Sequence, residues 1–203
     1  MRVSQANGRP RQVLYRKGQP CADVSIVRNG WAFRFAITAS GRRQILSFLL
    51  PGDLFSTSAV FGDRMHFSVQ ALTDVAYCGF NREDLQRLIF ADPKVSRTFA
   101  DVCSEQEAFS DDRIIDLGTR SAEERIGRLI IELMARLDRR GQVHDNMFHF
   151  PLKQQHLADA LGLTQVHVNR VLRRLRESRI MELSNGVLKI FNTSAIRKLA
   201  DMR

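Results

Sequence analysis

Polar and basic side chains are concentrated between positions 153 and 174, at a spacing suited to hydrogen bonding with nucleic-acid bases and phosphates. An apolar stripe at i, i+3, i+4 and i+7 predicts a helix over residues 165–178 with one buried face. The stripe consists of Val168, Val171, Leu172 and Leu175. The faces outside it carry Gln165, Val166, His167, Asn169, Arg170, Arg173 and Arg174. Because an α-helix fits the major groove of duplex DNA, this polar surface is predicted to contact DNA.

Four of these residues are suited to reading base edges. A guanidinium can hold guanine O6 and N7, which suits Arg170, and an amide can hold adenine N6 and N7, which suits Gln165 or Asn169. Val166 is suited to contact with a thymine methyl group. The residues expected to contact phosphates, which fix register without reading sequence, are Lys153, Thr164, His167, Arg173 and Arg174. The alternative for any single arginine is a solvated helix face.

The segments beside this helix predict the rest of a DNA-binding fold. Residues 153–161 predict a shorter helix, Gly162 ends it, and Thr164 is suited to cap the next one. Two helices separated by three residues, one of them glycine, are typical of a helix-turn-helix. Two β-rich runs at 180–183 and 187–191 flank a Ser-Asn-Gly turn and predict a hairpin. That hairpin is the expected wing of a winged helix-turn-helix.

Two helices are predicted at the borders of this unit. The pattern Ser-x-x-Glu from Ser121 to Glu124 is a capping box, and it predicts the start of a helix. Residues 194–202 predict a short closing helix.

Residues 13–80 consist of short β-rich runs separated by turns. The runs cover 23–27, 31–37, 44–50, 67–71 and 75–80. The first two are joined by Asn29-Gly30, a pair typical of a hairpin turn. Strands at this spacing predict a small barrel or sandwich, followed by a short helix that Asn81 would cap.

A long helix is predicted over residues 93–117, with Pro93 in its first turn and Gly118 at its end. One face follows a 4-3-4-3-4 spacing and carries Val95, Phe99, Val102, Gln106, Phe109 and Arg113. Such a spacing favours pairing between two copies of the helix. The alternative is that this face packs on the β-rich part of the same chain.

These segments together resemble the CRP/FNR family of bacterial transcription regulators. The resemblance begins near Val13 and is strongest in Arg28-Asn29-Gly30-Trp31 and in residues 50–55, 121–125 and 154–179. It implies an α+β fold with a β-roll, a cyclic-nucleotide-binding-like domain, over residues 1–91. A dimerisation helix over 92–118 and a winged helix-turn-helix domain over 119–203 are implied to follow. The resemblance also implies a homodimer that binds palindromic promoter sites and contacts RNA polymerase.

The DNA-reading segment departs from the usual family pattern. Family members usually read Thr-Arg-Glu-Thr-Val-Ser-Arg, whereas residues 164–170 read Thr-Gln-Val-His-Val-Asn-Arg. Arg170 keeps its role, but Val166 removes the carboxylate that would accept a hydrogen bond from cytosine N4. The usual half-site is therefore not expected for this chain.

The expected effector pocket departs further. Cyclic-nucleotide members hold the ribose with a Gly-Glu pair and the phosphate with an Arg-Ser pair. Here the stretch that corresponds to the first pair is 55–59, which includes Thr57 and Ser58. The second pair corresponds to Met65-His66, with Arg64 one position away. A cyclic phosphate needs a cation and converging N–H donors, and Met65 supplies no charge. Cyclic AMP is therefore not the expected effector, and no cofactor is predicted.

Cysteine usage limits the cofactors and the compartment. Cys21, Cys78 and Cys103 stand apart, without a Cys-x-x-Cys pair, which favours a reduced, cytoplasmic setting. The iron–sulfur branch of the family uses clustered N-terminal cysteines, and Cys21 alone supplies too few thiolates. Haem stays open in principle, but none of the five histidines is recognisable as an axial ligand.

Composition narrows the remaining classes of protein. The net charge of the chain is +9. Residues 1–60 carry a net charge of +7, residues 61–149 carry −4 and residues 150–203 carry +6. Basic segments at both ends favour a polyanion partner. No apolar run is long enough to span a membrane, and no nucleophile–base pair or metal-ligand spacing indicates an enzyme. The alternative function is a small-molecule, haem or redox sensor whose DNA binding is secondary or conditional.

Overall fold

The computed structural model describes residues 3–200, apart from the side chain of Ser58. The chain divides into two compact units between Asp112 and Arg113, inside its longest helix. The first unit contains β1 (Val3–Gly8), β2 (Val13–Tyr15), β3 (Asp23–Asn29), β4 (Ala32–Ile37), β5 (Arg43–Leu49), β6 (Leu54–Phe55), a 3₁₀ turn (Thr57–Ala59), β7 (Ser68–Ala71), β8 (Val75–Asn81) and α1 (Arg82–Ala91). Helix α2 (Pro93–Thr119) begins in the first unit and ends in the second. The second unit continues with α3 (Ala122–Asp138), β9 (Met147–His149), α4 (Gln154–Leu161), α5 (Gln165–Glu177), β10 (Met181–Ser184), β11 (Val187–Ile190) and α6 (Thr193–Leu199).

The first unit is built from two four-stranded antiparallel sheets. One has the order β1-β8-β3-β6 and the other the order β2-β7-β4-β5. Residues from both sheets, among them Val27, Phe55 and Val69, share one buried cluster. The apolar runs read from the sequence therefore line a common core, as a small barrel or sandwich requires.

The predicted hairpin at Asn29-Gly30 does not form. Strand β3 pairs with β8 and β6, whereas β4 pairs with β5 and β7, so the turn carries the chain from one sheet to the other. Gly30 has φ +80°, and a Cβ atom there would lie 1.9 Å from the carbonyl oxygen of Asp74. Glycine is needed at this turn for close backbone approach as well as for its dihedral angle.

Strand β1 was not predicted. Its residues pair with β8 from Val3 opposite Phe80 to Gly8 opposite Val75. Most of the strand is exposed, so its sequence lacks the apolar alternation that marks a strand with one buried face. Backbone hydrogen bonds to β8 hold it in place.

The start of α1 follows its local capping signal, whereas the predicted end of α2 is wrong. Asn81 caps α1 by accepting a hydrogen bond from the N–H of Asp84 at 3.1 Å. Helix α2 runs to Thr119 and so passes through Gly118, the predicted stop. The end of the predicted closing helix, up to Met202, lies outside the described residues, and α6 ends at Leu199.

The second unit has α3 at its centre. Ser121 and Glu124 form the predicted capping box, since each side chain accepts a hydrogen bond from the other residue's N–H, at 3.3 and 2.7 Å. Ile126, Leu129 and Leu133 on the apolar face of α3 are fully buried. Strands β10, β11 and β9 form an antiparallel sheet, so the predicted hairpin is present and gains a third strand.

Candidate DNA interface

The turn between α4 and α5 is held by a left-handed glycine and an arginine. Gly162 has φ +63°, a conformation that favours glycine over residues with a Cβ atom. Arg125 of α3 donates from Nη1 to the carbonyl oxygen of Leu161 at 2.9 Å, which satisfies a carbonyl at the C-terminal end of α4. The two helices of the predicted helix-turn-helix are therefore fixed to α3.

Helix α5 starts and packs as its sequence predicts. The hydroxyl of Thr164 accepts a hydrogen bond from the N–H of His167 at 3.2 Å and caps the helix. Val168, Val171 and Leu175 are buried, and Leu172 is half-buried. One face of α5 is thus fully used by the core, and the other faces are available to a partner.

The proposed base-reading residues lie together on that outer surface. Gln165, Asn169 and Arg170 are exposed, and Val166 is 68% exposed although it is apolar. All four belong to the first two turns of α5, the part of a recognition helix that reaches base edges. An amide, a guanidinium and an apolar side chain are therefore presented to one partner surface.

The proposed phosphate contacts have partners within the chain. Arg173 Nε donates to Glu177 Oε1 at 2.7 Å, and this hydrogen bond raises the pKa of Arg173 and lowers that of Glu177. Arg174 forms an ion pair with Glu123 of α3. Both pairs are solvent-exposed, so their contribution to stability is small and a phosphate can compete with either carboxylate.

The other three phosphate candidates lie at or near the start of α4 and of α5. Lys153 and His167 are exposed, and Thr164 combines an exposed position with its capping role. The N–H of Lys153 donates to His156 Nδ1 at 3.0 Å at the start of α4. The five candidates therefore belong to α5 and to the cap residues that directly precede α4 and α5.

Four polar residues next to these candidates were not singled out from the sequence. Glu123 and Glu177 pair with the two arginines, and Gln155 and Asp159 form a hydrogen-bonded series that reaches Gln165. The i, i+4 spacing of Arg173 with Glu177 and of Gln155 with Asp159 is a local signal that could have revealed two of these contacts. The Arg174–Glu123 contact joins residues 51 apart and has no such signal.

The three predicted effector residues whose side chains the structure describes make separate contacts. Met65 is 2% exposed and belongs to the core, whereas the exposed Arg64 donates from Nη1 to the carbonyl oxygen of Gly18 at 3.0 Å. Thr57 donates its hydroxyl proton to Gln106 Oε1 of α2 at 2.8 Å. The side chain of Ser58 lies outside the described part of the chain.

Aromatic side chains pack together inside the first unit. Ring centroids are 5.6 Å apart for Tyr15 and Phe55 and 5.7 Å apart for Phe55 and Tyr77, both edge-on. Burial raises the pKa of Tyr15 and of Tyr77, and the Tyr15 hydroxyl lies 3.2 Å from the hydroxyl of Ser25. Aromatic rings thus fill this part of the interior.

The predicted pairing face of α2 contacts its own chain. Val95 and Phe99 pack on buried residues that include Val24 and Val60. Gln106 accepts from Thr57, Arg113 pairs with Glu132 of α3 at 3.2 Å, and Val102 and Phe109 are half-buried. These contacts agree with the alternative in which this face packs intramolecularly. On other faces of α2, Ile114 and Ile115 are 67% and 51% exposed.

Residues 3–200 contain neither a metal-binding cluster nor a membrane-spanning helix. No group of three or more His, Cys, Asp or Glu side chains is arranged to hold a metal ion. Within the same residues, no helix has the length and apolar character needed to cross a membrane.

Comparison with known proteins agrees with this architecture. Residues 7–92 match the model of the cyclic nucleotide-binding domain, and residues 124–199 match that of the Crp-like helix-turn-helix domain. The chain is 31% identical over 179 residues to the transcriptional activatory protein AadR of Rhodopseudomonas palustris, across 88% of this chain and 74% of that protein. It is 28% identical over 189 residues to the transcriptional activator protein FnrA of Stutzerimonas stutzeri, across 93% and 77%. The structure of FixK2 from Bradyrhizobium japonicum superposes with a TM-score of 0.87 at 24% identity, across 98% of both chains. These matches confirm the predicted fold, and the relatives are regulators rather than enzymes.

Proposed function

The chain belongs to the CRP/FNR family of DNA-binding transcription regulators, and on that premise we propose that it acts as a homodimer on a palindromic promoter site. Each protomer places α5 in the major groove of one half-site, and two-fold symmetry relates the two half-sites. The observation that carries this proposal is the outer surface of α5, which is polar and exposed while the opposite face is buried.

Base reading is assigned to four residues of α5. Arg170 holds guanine O6 and N7, and Gln165 or Asn169 holds adenine N6 and N7. Val166 contacts a thymine methyl group, and its exposure supports this role because an apolar side chain at 68% exposure gains from burial on binding. The half-site of this chain is therefore expected to differ from the half-site of family members that have a carboxylate at the position of Val166.

Phosphate contacts are assigned to Lys153, Thr164, His167, Arg173 and Arg174. The carboxylates of Glu177 and Glu123 hold the two arginines until a phosphate replaces them. Exchanging one exposed ion pair for another costs little, and counterion release from DNA favours the exchange at low salt.

Pairing of two copies is assigned to the exposed side of α2. Val95, Phe99, Gln106 and Arg113 of the sequence-predicted seam have partners in their own chain. A second series at the same 4-3-4-3-4 spacing is exposed: Ser96, Ala100, Cys103, Glu107, Ser110 and Ile114. Four of its members are small, which permits close approach of two helices, and Ile114 supplies apolar area.

Control by cyclic AMP is not part of this proposal. Met65 is buried in the core. The family resemblance aligns this uncharged residue with the phosphate-binding pair, and a cyclic phosphate needs a cation. RNA polymerase is the proposed protein partner, since regulators of this family often contact it. The proposed site of action is the cytoplasm, where both the promoter and the polymerase are found.

The test is in vitro selection of duplexes by the purified chain, followed by binding titrations at several salt concentrations. We expect a palindromic site, two chains bound per duplex, and an association constant that falls steeply as salt rises. An asymmetric selected site, or one chain per duplex, would refute the homodimer. Binding with no preference among sequences would refute base reading by α5.

A further inference from the structure

Three polar residues form a directed series of hydrogen bonds at the start of α5. Gln155 and Asp159 lie one turn apart on α4, and Gln155 Nε2 donates to Asp159 Oδ1 at 2.5 Å. Gln165, the first residue of α5, donates from Nε2 to Gln155 Oε1. Gln155 and Gln165 are exposed, and Asp159 is half-buried.

The carboxylate sets the direction of the whole series. An ionised carboxylate only accepts hydrogen bonds, so Gln155 turns its NH₂ group toward Asp159 and its carbonyl oxygen toward Gln165. Gln165 must then donate one N–H to Gln155. One N–H and the carbonyl oxygen of Gln165 stay available to a partner beyond α5.

That pair of groups matches adenine and not guanine. In the major groove adenine presents an acceptor at N7 and a donor at N6, whereas guanine presents acceptors at both N7 and O6. A side-chain carbonyl oriented toward O6 would place two acceptors against each other. If the amide of Gln165 were reversed, its NH₂ group would face the base and guanine would be accepted.

We propose that Asp159 and Gln155 are positioning residues that fix the amide orientation of Gln165 and so make it select adenine over guanine. This inference rests on the proposed function, because it requires that Gln165 faces a base. Neither Asp159 nor Gln155 needs to contact DNA, and both act through Gln165.

The test compares substitutions that force opposite amide orientations. Gln155→Glu is acceptor-only and keeps Gln165 donating, whereas Gln155→Lys is donor-only and makes the carbonyl of Gln165 accept. The position read by Gln165 is identified first, as the adenine in the selected duplex for which the Gln165→Ala variant no longer shows a preference. The purified protein is then titrated with the selected duplex and with the same duplex carrying guanine at that position. The measured quantity is the ratio of the two affinities, which cancels the uniform effect of each charge change.

We expect wild type and Gln155→Glu to favour adenine by about tenfold, a discrimination typical of one amide–base pair. Gln155→Lys should abolish or invert this preference for adenine. Asp159→Asn should move the affinity ratio toward one, because an asparagine amide can pair with either orientation of the Gln155 amide. Asp138→Asn, an exposed site at the end of α3, removes the same charge and should leave the ratio unchanged. Gln155 is exposed, so its variants should retain the melting temperature of the wild type, which is measured alongside.

Two results would overturn the proposed positioning of Gln165 by Gln155 and Asp159 while leaving DNA binding intact. One is an adenine preference in Gln155→Lys equal to that of Gln155→Glu. The other is a Gln165→Ala variant that binds the selected site with unchanged base preferences, which would show that Gln165 reads no base. Absence of sequence-specific binding by the wild type would reject this positioning role together with the proposed function.

Discussion

In the proposed function, single residues on α5 divide into those that read sequence and those that attract the DNA backbone. Arg170 lies in the first two turns, where base edges are within reach, and Arg173 lies one turn further along and pairs with Glu177. A bidentate contact with guanine depends on one base pair, whereas a contact with phosphate is the same for every sequence. The two arginines should therefore respond differently to substitution.

We predict that Arg170→Ala costs about 1–3 kcal/mol of binding free energy on the selected site and relaxes specificity at one base pair. Arg173→Ala is the matched control, and it should weaken binding to all duplexes about equally and reduce the salt dependence. Competition titrations with single-base variants of the site measure both effects. A uniform loss on all duplexes for Arg170→Ala would contradict the assignment of that side chain to a base.

Met65 leads to a prediction about the effector. Its side chain is 2% exposed in the core of the first unit, and it has no charge to offer a cyclic phosphate. We therefore expect cyclic AMP to leave the melting temperature unchanged in a thermal titration. Binding would be visible in this measurement, because a ligand present at 100 times its dissociation constant stabilises a folded protein by about 2.7 kcal/mol. An increase that grows with cyclic AMP concentration would show that this unit retains a nucleotide site.

At the scale of elements, the turn from β3 to β4 shows how one residue permits two sheets to be joined. Gly30 and Gly41 have similar dihedral angles, φ +80° and +78°. A Cβ atom at Gly41 would meet no atom within 4 Å, whereas one at Gly30 would lie 1.9 Å from the carbonyl oxygen of Asp74. The two glycines therefore separate the cost of the dihedral angle from the cost of crowding.

We predict that Gly41→Ala lowers the free energy of unfolding by about 1–2 kcal/mol, the cost of a left-handed conformation for a residue with a Cβ atom. Gly30→Ala should lower it further, since the backbone near Asp74 must also move. Urea unfolding of both variants gives the comparison. Equal losses would mean that the turn relaxes without cost.

At the scale of the whole molecule, the proposed function depends on bringing two recognition helices to one duplex. Ile114 of α2 and Ile37 of β4 are similarly exposed, at 67% and 64%, but only Ile114 lies in the proposed pairing series. A charged side chain at a paired helix face loses apolar contact and places like charges together across the two-fold axis. These two isoleucines are therefore a matched pair for testing the dimer.

We predict that Ile114→Arg shifts the protein from dimer toward monomer in analytical ultracentrifugation and weakens binding to the full palindrome. Binding to a single half-site should change much less, because each α5 surface is unaltered. Ile37→Arg should keep the wild-type association state. A dimer in Ile114→Arg, or dissociation caused by Ile37→Arg, would place the pairing surface elsewhere.

The sequence by itself determined the parts of this protein that depend on contacts within a few residues. The capping box at Ser121, the turn at Gly162 and the cap at Thr164 are all present, because each connects groups three or four positions apart. The buried stripe of α5 follows from helical periodicity alone. For the same reason, the polar face of the candidate site was visible without a structure.

Only the tertiary structure decided which segments meet across long stretches of chain. The pairing of β1 with β8, the crossing between sheets at Gly30, and the contact of Arg174 with Glu123 each join residues that are distant in sequence. The face of α2 that packs on the chain was decided in the same way, because an apolar series at heptad spacing suits an intrachain core and a second copy equally well. Periodicity specifies that a face will be buried, and the fold specifies what buries it.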